Sequence, residues 1–212
     1  MKIVLFGSDT EKNAGIRYRL LKHAERLERD GHTCVVCLTS SVALRERLYV
    51  NRPRWMKFLY MAQMPLRRLM QIPQVIGADV VFLRGPLVHY GPPLLERIVR
   101  CLNPRMVFDI DDAVWEPPAH VSSPFLRLID YGWTRKMARM CAHAVVGNRY
   151  LEEYVEPLIP NITVVPTCVD VERFAGGDLR SSERLGLESG RNATDSARVR
   201  LGWTGLKDNL GY

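Results

Sequence analysis

The chain lacks the features that would place it across a membrane or direct it out of the cell. No apolar run approaches the roughly 20 residues that a membrane-spanning helix needs. The first residues, MKIVLFGS, become polar too soon for a signal peptide and are typical of a first strand. The sequence therefore predicts a cytoplasmic protein.

Cysteine is also scarce, with five residues in an odd and scattered set. Cys34 and Cys37 form a C-x-x-C, a spacing found in zinc and redox sites. They lie, however, inside TCVVCLT, which reads as a strand, and residues three apart on a strand point to opposite faces. No second Cys/His pair accompanies them, so we expect two small buried side chains and no metal.

Glycine-rich phosphate motifs are missing as well. The loop after the first strand, GSDTEKNAGIRYR, has neither G-x-G-x-x-G nor the P-loop Lys-Ser/Thr, which disfavours a dinucleotide-binding protein or a P-loop NTPase. It does place Gly15 at the start of a helix with Arg17 and Arg19 in the first turn. Free backbone N–H groups and guanidinium groups together suit a phosphate. The alternative is an ordinary loop with solvated arginines.

What the chain does contain is an alternation of apolar runs and helical periodicities. One helix has Ile16, Leu20, Ala24 and Leu27 on one side and stops at Gly31. Such alternation predicts an α/β fold, a Rossmann-like, doubly wound parallel sheet in three layers. Ligands of such sheets bind beyond the carboxyl ends of the strands. The six predicted strands are 2–7, 33–39, 79–85, 105–111, 143–148 and 161–167.

Two of the predicted helices contain proline. In the first, we expect the basic segment between the second and third strands to be helical but broken at Pro65 and Pro73. In the second, Ser123 and Pro124 resemble an N-cap and a first helical position. Its apolar stripe would comprise Leu126, Ile129, Trp133, Met137 and Met140.

Charged side chains follow the third and fourth strands. Arg84 ends the third strand and should point into the ligand crevice, while Gly85 would allow a close approach; His89 is a weaker candidate, since a lone loop histidine is often a surface or packing residue. Asp109, Asp111 and Asp112 end the fourth strand, where three acids are costly unless they are solvated or bind something. They could hold a metal, sugar hydroxyls or the nearby arginines, or one could cap the next element.

The segment between 45 and 76 holds seven basic residues and one acid, Glu46, and so carries most of the net charge of +7. Aromatic and apolar residues between the cations suit an anionic lipid surface. Packing on the sheet with solvated arginines is an equally weighted alternative, and nucleic acid is a weaker one, since no nucleic-acid module is recognisable. The predicted membrane contacts are Arg54, Trp55, Lys57, Phe58, Arg67 and Arg68.

Four runs of the sequence together resemble the N-terminal half of a family 4-like glycosyltransferase with the GT-B, twin-Rossmann fold. They are GIRYR after the first strand, VFDIDDAVW, AVVGNRYLEEYV, and NITVVPTCVDVERF followed through a linker by LGWTGLKDNLGY. The resemblance covers essentially the whole chain. It implies an acceptor-binding Rossmann-like domain over 1–174, a linker over 175–197, and the truncated start of a donor-binding domain over 198–212.

The resemblance further implies transfer of a sugar, with retention of configuration, from a nucleotide-sugar donor to a sugar or lipid-linked acceptor. Such a reaction belongs to cell-envelope or surface polysaccharide and glycolipid synthesis and needs no metal or other cofactor. Arg84, Asp109, Asp111 and Asp112 would then serve catalysis. Gly15, Arg17, Arg19 and His89 would bind substrate, and the basic segment would attach the enzyme to the inner face of the plasma membrane.

On this interpretation most nucleotide contacts lie in the second domain, so the 212-residue chain alone should show little or no transferase activity. Two other classes stay open. One is a non-catalytic Rossmann-like module that binds an anionic ligand, and the other is a scaffold on a membrane surface.

Overall fold

The computed structural model describes residues 1–51, 53–116 and 128–168. Residues 1–168 belong to one compact unit. The predicted linker and second domain lie outside the described residues. Within the described part, no helix combines the length and the apolar character needed to cross a bilayer.

All six predicted strands are present and form one parallel sheet in the order β2-β1-β3-β4-β5-β6. This confirms the Rossmann-like α/β fold. Chain direction across the sheet reverses once, between β1 and β3, which makes that point the topological switch. The strands are β1 (Lys2–Gly7), β2 (Thr33–Leu38), β3 (Val80–Arg84), β4 (Met106–Ile110), β5 (His143–Val146) and β6 (Ile162–Val164).

Helices connect the strands. The first helical segment changes its hydrogen-bonding period twice, because a π-helical stretch separates α1 from α2; the left-handed Gly31 (φ 84°) follows its end, as predicted. The helical elements are α1 (Ala14–Ile16), the π-helical stretch (Arg17–Leu21), α2 (Lys22–Arg29), α3 (Val42–Leu48), α4 (Arg54–Gln71), a 3-10 turn (Ile72–Val75), α5 (Leu94–Leu102), α6 (Trp133–Met140) and α7 (Arg149–Val155).

The direction of the crossovers assigns each helix to a face of the sheet. Right-handed crossovers put the β1–β2 helix on one face and the helices of the four later crossovers on the other. The packing agrees: Leu20 and Ala24 cover Ile3 and Leu5 in a small cluster, whereas α5, α6 and α7 pack in the main core. Cys37 belongs to the main core, and Cys34 packs against the small cluster on the opposite face, as predicted for a strand.

The prediction that Pro65 breaks its helix is wrong. Helix α4 runs through Pro65, and Pro73 lies in the 3-10 turn that follows. Proline has no N–H, so the carbonyl of Met61, four residues earlier, loses its helical partner. The hydroxyl of Tyr90 donates to that carbonyl at 2.8 Å and replaces the missing bond.

The helix predicted from Ser123 to Met140 is shorter within the described residues, because 129–132 are not helical. Helix α6 begins at Trp133, and Ile129 precedes it, while Ser123, Pro124 and Leu126 lie outside the described residues. The backbone carbonyl and side chain of Asp130 accept from Trp133 N at 2.9 Å and Gly132 N at 3.1 Å, which fixes the start. Trp133 and Met137 do form the buried stripe that the periodicity predicts.

The exchange of a helical bond for a tyrosine bond at Pro65 can be tested by a double-mutant cycle. Tyr90→Phe leaves the Met61 carbonyl without its partner and should lower the free energy of unfolding by about 1 kcal/mol. In a Pro65→Ala background the backbone N–H gained at that position can bond to Met61, so the same change should cost clearly less. Urea unfolding of the four proteins measures the coupling. Equal costs in both backgrounds would contradict the exchange.

Candidate functional site

A cavity of about 380 Å³ opens beyond the carboxyl ends of β1, β3 and β4. It lies beside the switch point, where sheets of this topology bind ligands. Its walls come from the loops after β1, β3 and β4 and from the start of α6. Residues lining it include Ser8, Arg84, Gly85, Pro86, Val88, His89, Gly91, Val114, Glu116, Ile129, Asp130, Tyr131 and Trp133.

Hydrogen bonds of Ser8 connect the loop after β1 to the end of β3 and the loop that follows it. Its N–H donates to the Arg84 carbonyl at 3.1 Å, and its own carbonyl accepts from His89 Nε2 at 2.6 Å. Gly85 has φ 79°, and a Cβ there would come within 2.7 Å of the Ser8 hydroxyl. Only glycine fits this turn without strain. The hydrogen bond to the Ser8 carbonyl holds the ring of His89 at the cavity wall.

Asp109 is the centre of a buried ion-pair network. Its side chain is 1% exposed and accepts both Arg19 Nε, at 3.0 Å, and Arg19 Nη2. Arg84 Nε lies 3.1 Å from the same carboxylate, although not aligned for a hydrogen bond, and Arg84 Nη2 pairs with Asp111. Burial raises the pKa of Asp109, and the two guanidinium groups oppose that shift. Among the predicted roles for these acids, the structure shows pairing with arginine.

The π-helical stretch positions Arg19 for this network. Besides Asp109, Arg19 donates through Nη1 to the Val165 carbonyl at 2.7 Å and to the Thr167 hydroxyl at 3.2 Å. Arg19 and Asp109 line a second cavity of about 250 Å³ with an apolar wall that includes Phe82. Arg84, by contrast, lines the 380 Å³ cavity. Four of the predicted site residues therefore divide between two cavities, with Arg84 and His89 at the larger and Arg19 and Asp109 at the smaller.

Gly15 serves the approach of a protein side chain. A Cβ at this position would stand 2.6 Å from Arg84 Nη2 and 3.2 Å from Asn13 Oδ1. Asn13 caps the helix by accepting from Ile16 N at 3.2 Å. The sequence predicted a phosphate in the space beside the helix start. That space contains the Arg84 guanidinium.

Two predicted site residues remain at the surface. Arg17 is exposed, with its guanidinium 5.6 Å from the centre of the Tyr18 ring. Asp112 is also exposed, and among the described residues its carboxylate makes no hydrogen bond or ion pair. The structure therefore brings together Gly15, Arg19, Arg84, Asp109 and Asp111.

Some of the predicted membrane contacts are exposed, and others are buried against the sheet. Arg54, Trp55 and Phe58 are exposed, and Lys57 is half-buried near the ring of Tyr49. The prediction that Arg68 contacts a membrane is wrong, because its side chain is fully buried. Arg67 is half-buried and donates to the Leu38 carbonyl at 3.1 Å, so it too is drawn toward the sheet.

Sequence reasoning missed the residues at the start of α6. Tyr131 lines the cavity, and its hydroxyl is buried without a hydrogen-bond partner among the described residues. Asp130 accepts from Gly132 N and from Lys136 Nζ, at 3.1 and 2.5 Å. An aspartate three residues before the tryptophan is an N-terminal helix signal that could have placed this boundary and exposed its neighbours as site candidates.

A buried carboxyl group supports the cavity wall from behind. Glu96 accepts from Leu87 N at 2.8 Å and from Trp133 Nε1 at 3.2 Å, and it is 2% exposed. Burial raises the pKa of this carboxyl group, and its hydrogen bonds oppose the shift. Glu96 therefore fixes both the loop after β3 and the indole that closes the cavity.

Among the described residues, no cluster of three histidine, cysteine, aspartate or glutamate side chains has the arrangement to hold a metal ion. Comparison with models of protein families gives no match, and comparison with curated proteins gives none either.

Asp109→Asn tests the buried network. The substitution keeps the shape but leaves two guanidinium groups facing each other without their shared anion. It should lower the free energy of unfolding by about 3–5 kcal/mol. Asp111→Asn, which alters a half-buried partner of Arg84 alone, is the matched control and should cost about 1 kcal/mol or less. Similar losses in urea unfolding for the two variants would contradict a network centred on Asp109.

Glu96→Gln tests the buried carboxyl group through pH. A carboxyl group with a raised folded-state pKa favours folding most below its unfolded pKa of about 4.3, and this stabilisation is lost as pH rises through the folded pKa. Glutamine keeps the accepting oxygen and does not titrate. The variant should therefore gain stability relative to wild type as pH rises from acid to neutral.

Urea unfolding across that pH range measures the Glu96 effect. Glu153→Gln, at an exposed position on α7, controls for the loss of one negative charge. A Glu96→Gln protein that becomes less stable than wild type toward neutral pH would show instead that the ionised carboxylate is favoured inside the fold.

Proposed function

We propose that the 380 Å³ cavity binds a saccharide acceptor and that the chain is the acceptor half of a nucleotide-sugar-dependent glycosyltransferase of envelope or surface polysaccharide and glycolipid synthesis. The observation that carries this proposal is the composition of the cavity wall at the switch point. There an indole and a phenol with an unpartnered hydroxyl stand beside Glu116, Asp130 and His89.

These groups match the two sides of a sugar ring. The C–H faces of a pyranose are apolar and pack on aromatic rings such as those of Tyr131 and Trp133. Its hydroxyl groups need acceptors and donors at fixed places, which carboxylates, an imidazole and a tyrosine hydroxyl supply. A cavity of this volume is within the range of small-ligand sites, which begins at about 300 Å³.

His89 and Arg84 would take the polar roles nearest the reaction. Because His89 Nε2 donates to the Ser8 carbonyl, the neutral ring keeps Nδ1 as an acceptor for a sugar hydroxyl. Arg84 lines the same cavity, and its guanidinium, whose charge is balanced by Asp109 and Asp111, could donate to a hydroxyl of the acceptor. Asp109, Asp111 and Arg19 would position Arg84 through ion pairs. Catalysis would then depend chiefly on placing the acceptor hydroxyl against the donor.

The alternative is a non-catalytic module that binds an anion through its arginines. It is less favoured, since Arg19 and Arg84 already pair with Asp109 and Asp111, two cations with two anions. An anionic ligand would have to compete with these carboxylates. A neutral, hydroxyl-rich ligand does not have to displace these carboxylates from the arginines.

Tyr131→Phe tests the saccharide proposal. Losing a hydroxyl that bonds to the ligand in a buried site should weaken binding about tenfold, since hydrogen bonds to uncharged groups contribute about 1 kcal/mol or somewhat more. Tryptophan fluorescence and calorimetry of the 212-residue chain, with methyl glycosides, UDP-glucose, GDP-mannose and inorganic pyrophosphate as separate probes, give the affinities.

Tyr49→Phe is the control, because Tyr49 lines a different cavity. Binding of a glycoside that only Tyr131→Phe weakens supports the proposal. Binding of pyrophosphate without any glycoside would favour the anion module, and no change on Tyr131→Phe would show that the hydroxyl does not contact the sugar.

A further inference from the structure

Helix α4 presents an apolar side to solvent along its whole length. Trp55 and Phe58 are each 64% exposed, Leu66 is 61% exposed and Met70 is 67% exposed. At about 100° of rotation per residue, seven outward residues fall within an arc of roughly 120° over about 22 Å of helix. They are Trp55, Phe58, Leu59, Ala62, Leu66, Leu69 and Met70.

The neighbouring helix continues this surface. Leu94, Ile98 and Leu102 are exposed at intervals of four residues along α5, which contacts α4. Together with the seven residues of α4 they make up the α4–α5 face. Exposed apolar patches of this extent mark a binding surface in most proteins.

The charges of the same two helices all have one sign at the surface. Arg54, Arg97 and Arg100 are exposed and Lys57 is half-buried. The single acid in α4 and α5 is Glu96, which is buried and hydrogen-bonded on the side of α5 that faces the core. No exposed carboxylate on either helix offsets these cations.

An apolar surface with exposed cations and no exposed carboxylate on its helices favours one kind of binding partner over others. A second copy of the chain would bring two cationic faces together without an acid to separate them, which like charges oppose. An anionic bilayer offers acyl chains to Trp55, Phe58 and Leu66. It also offers headgroup charge to Arg54 and Arg97, the exposed cations that border the apolar arcs of the two helices. We propose that the α4–α5 face lies on the surface of an anionic membrane, with α4 parallel to the bilayer plane.

The sequence predicted membrane contacts mainly through cations, whereas the exposed residues of α4 are mainly apolar. Arg67 and Arg68, the two cations in the C-terminal third of α4, turn toward the sheet. Leu66, Leu69 and Met70 are exposed at that end of the helix. Attachment would therefore depend on inserted apolar side chains, with charge selecting the lipid. It does not depend on the saccharide proposal, because the face contains none of the cavity-lining residues.

Vesicle flotation of the whole chain tests the face. We expect flotation with vesicles of equal parts phosphatidylcholine and phosphatidylglycerol, weaker flotation with phosphatidylcholine alone, and a loss at high salt. Phe58→Gln combined with Leu66→Gln should lower the partition coefficient about tenfold or more. Arg54→Glu should lower it about tenfold on anionic vesicles only.

Matched controls lie elsewhere on the surface. Tyr150→Gln changes a side chain of similar exposure, 58%, on α7, and Arg26→Glu reverses a charge on α2 on the other face of the sheet. Both should float as wild type does. Circular dichroism verifies folding, and quenching of Trp55 by brominated phosphatidylcholine, absent in Trp55→Phe, provides a measurement in an otherwise native protein.

Three results would overturn the proposal. They are no flotation with anionic vesicles, equal losses in the α4 and control variants, or sedimentation showing a dimer that Phe58→Gln with Leu66→Gln dissociates. The last result would assign the face to a second copy of the chain.

Discussion

The buried guanidinium of Arg68 is the constraint on which the carboxyl edge of the sheet depends. It donates to the carbonyls of Gly7, Cys37 and Leu87 and to the Thr39 hydroxyl, and so joins the ends of β1 and β2 to the loop after β3. Strand ends leave carbonyl groups that no helix or strand satisfies, and a planar five-donor group can satisfy several at once. Burial lowers the pKa of Arg68 to about 10, which still leaves it protonated at neutral pH.

The backbone of Leu87 links Arg68 to the cavity wall. Its carbonyl accepts from Arg68 at 2.9 Å, and its N–H donates to Glu96 at 2.8 Å. Glu96 in turn accepts from the indole of Trp133. A buried guanidinium and a buried carboxyl group are therefore linked through the two backbone groups of Leu87, and this arrangement holds the loop after β3 against α6. The cavity between them gains a fixed shape from interactions that no ligand needs to supply.

Sequence reasoning reached the strands and the strand ends, because continuous apolar runs and residues directly after them are local patterns. The burial of Arg68 could not be predicted, since α4 is apolar on both sides and its periodicity does not show which side faces the sheet. The spacing of Tyr60, Met64 and Arg68 was a signal, but an arginine at a core position is rare enough to be read as surface. Tyr90 meets Met61 across 29 residues, and such a pairing has no local trace in the sequence.

The distribution of charge explains why the net charge of +7 does not describe the site. At the ends of β3 and β4 two arginines meet two aspartates, so the crevice floor is nearly neutral. Two cations that are unpaired among the described residues, Arg54 on α4 and Arg97 on α5, instead border the apolar face. A neutral crevice suits a hydroxyl-rich ligand, whereas a cationic apolar face suits a lipid surface. The Tyr90–Met61 bond joins α4 to the loop of His89, so a chain lying on its α4–α5 face would hold the cavity at a fixed height above the lipid.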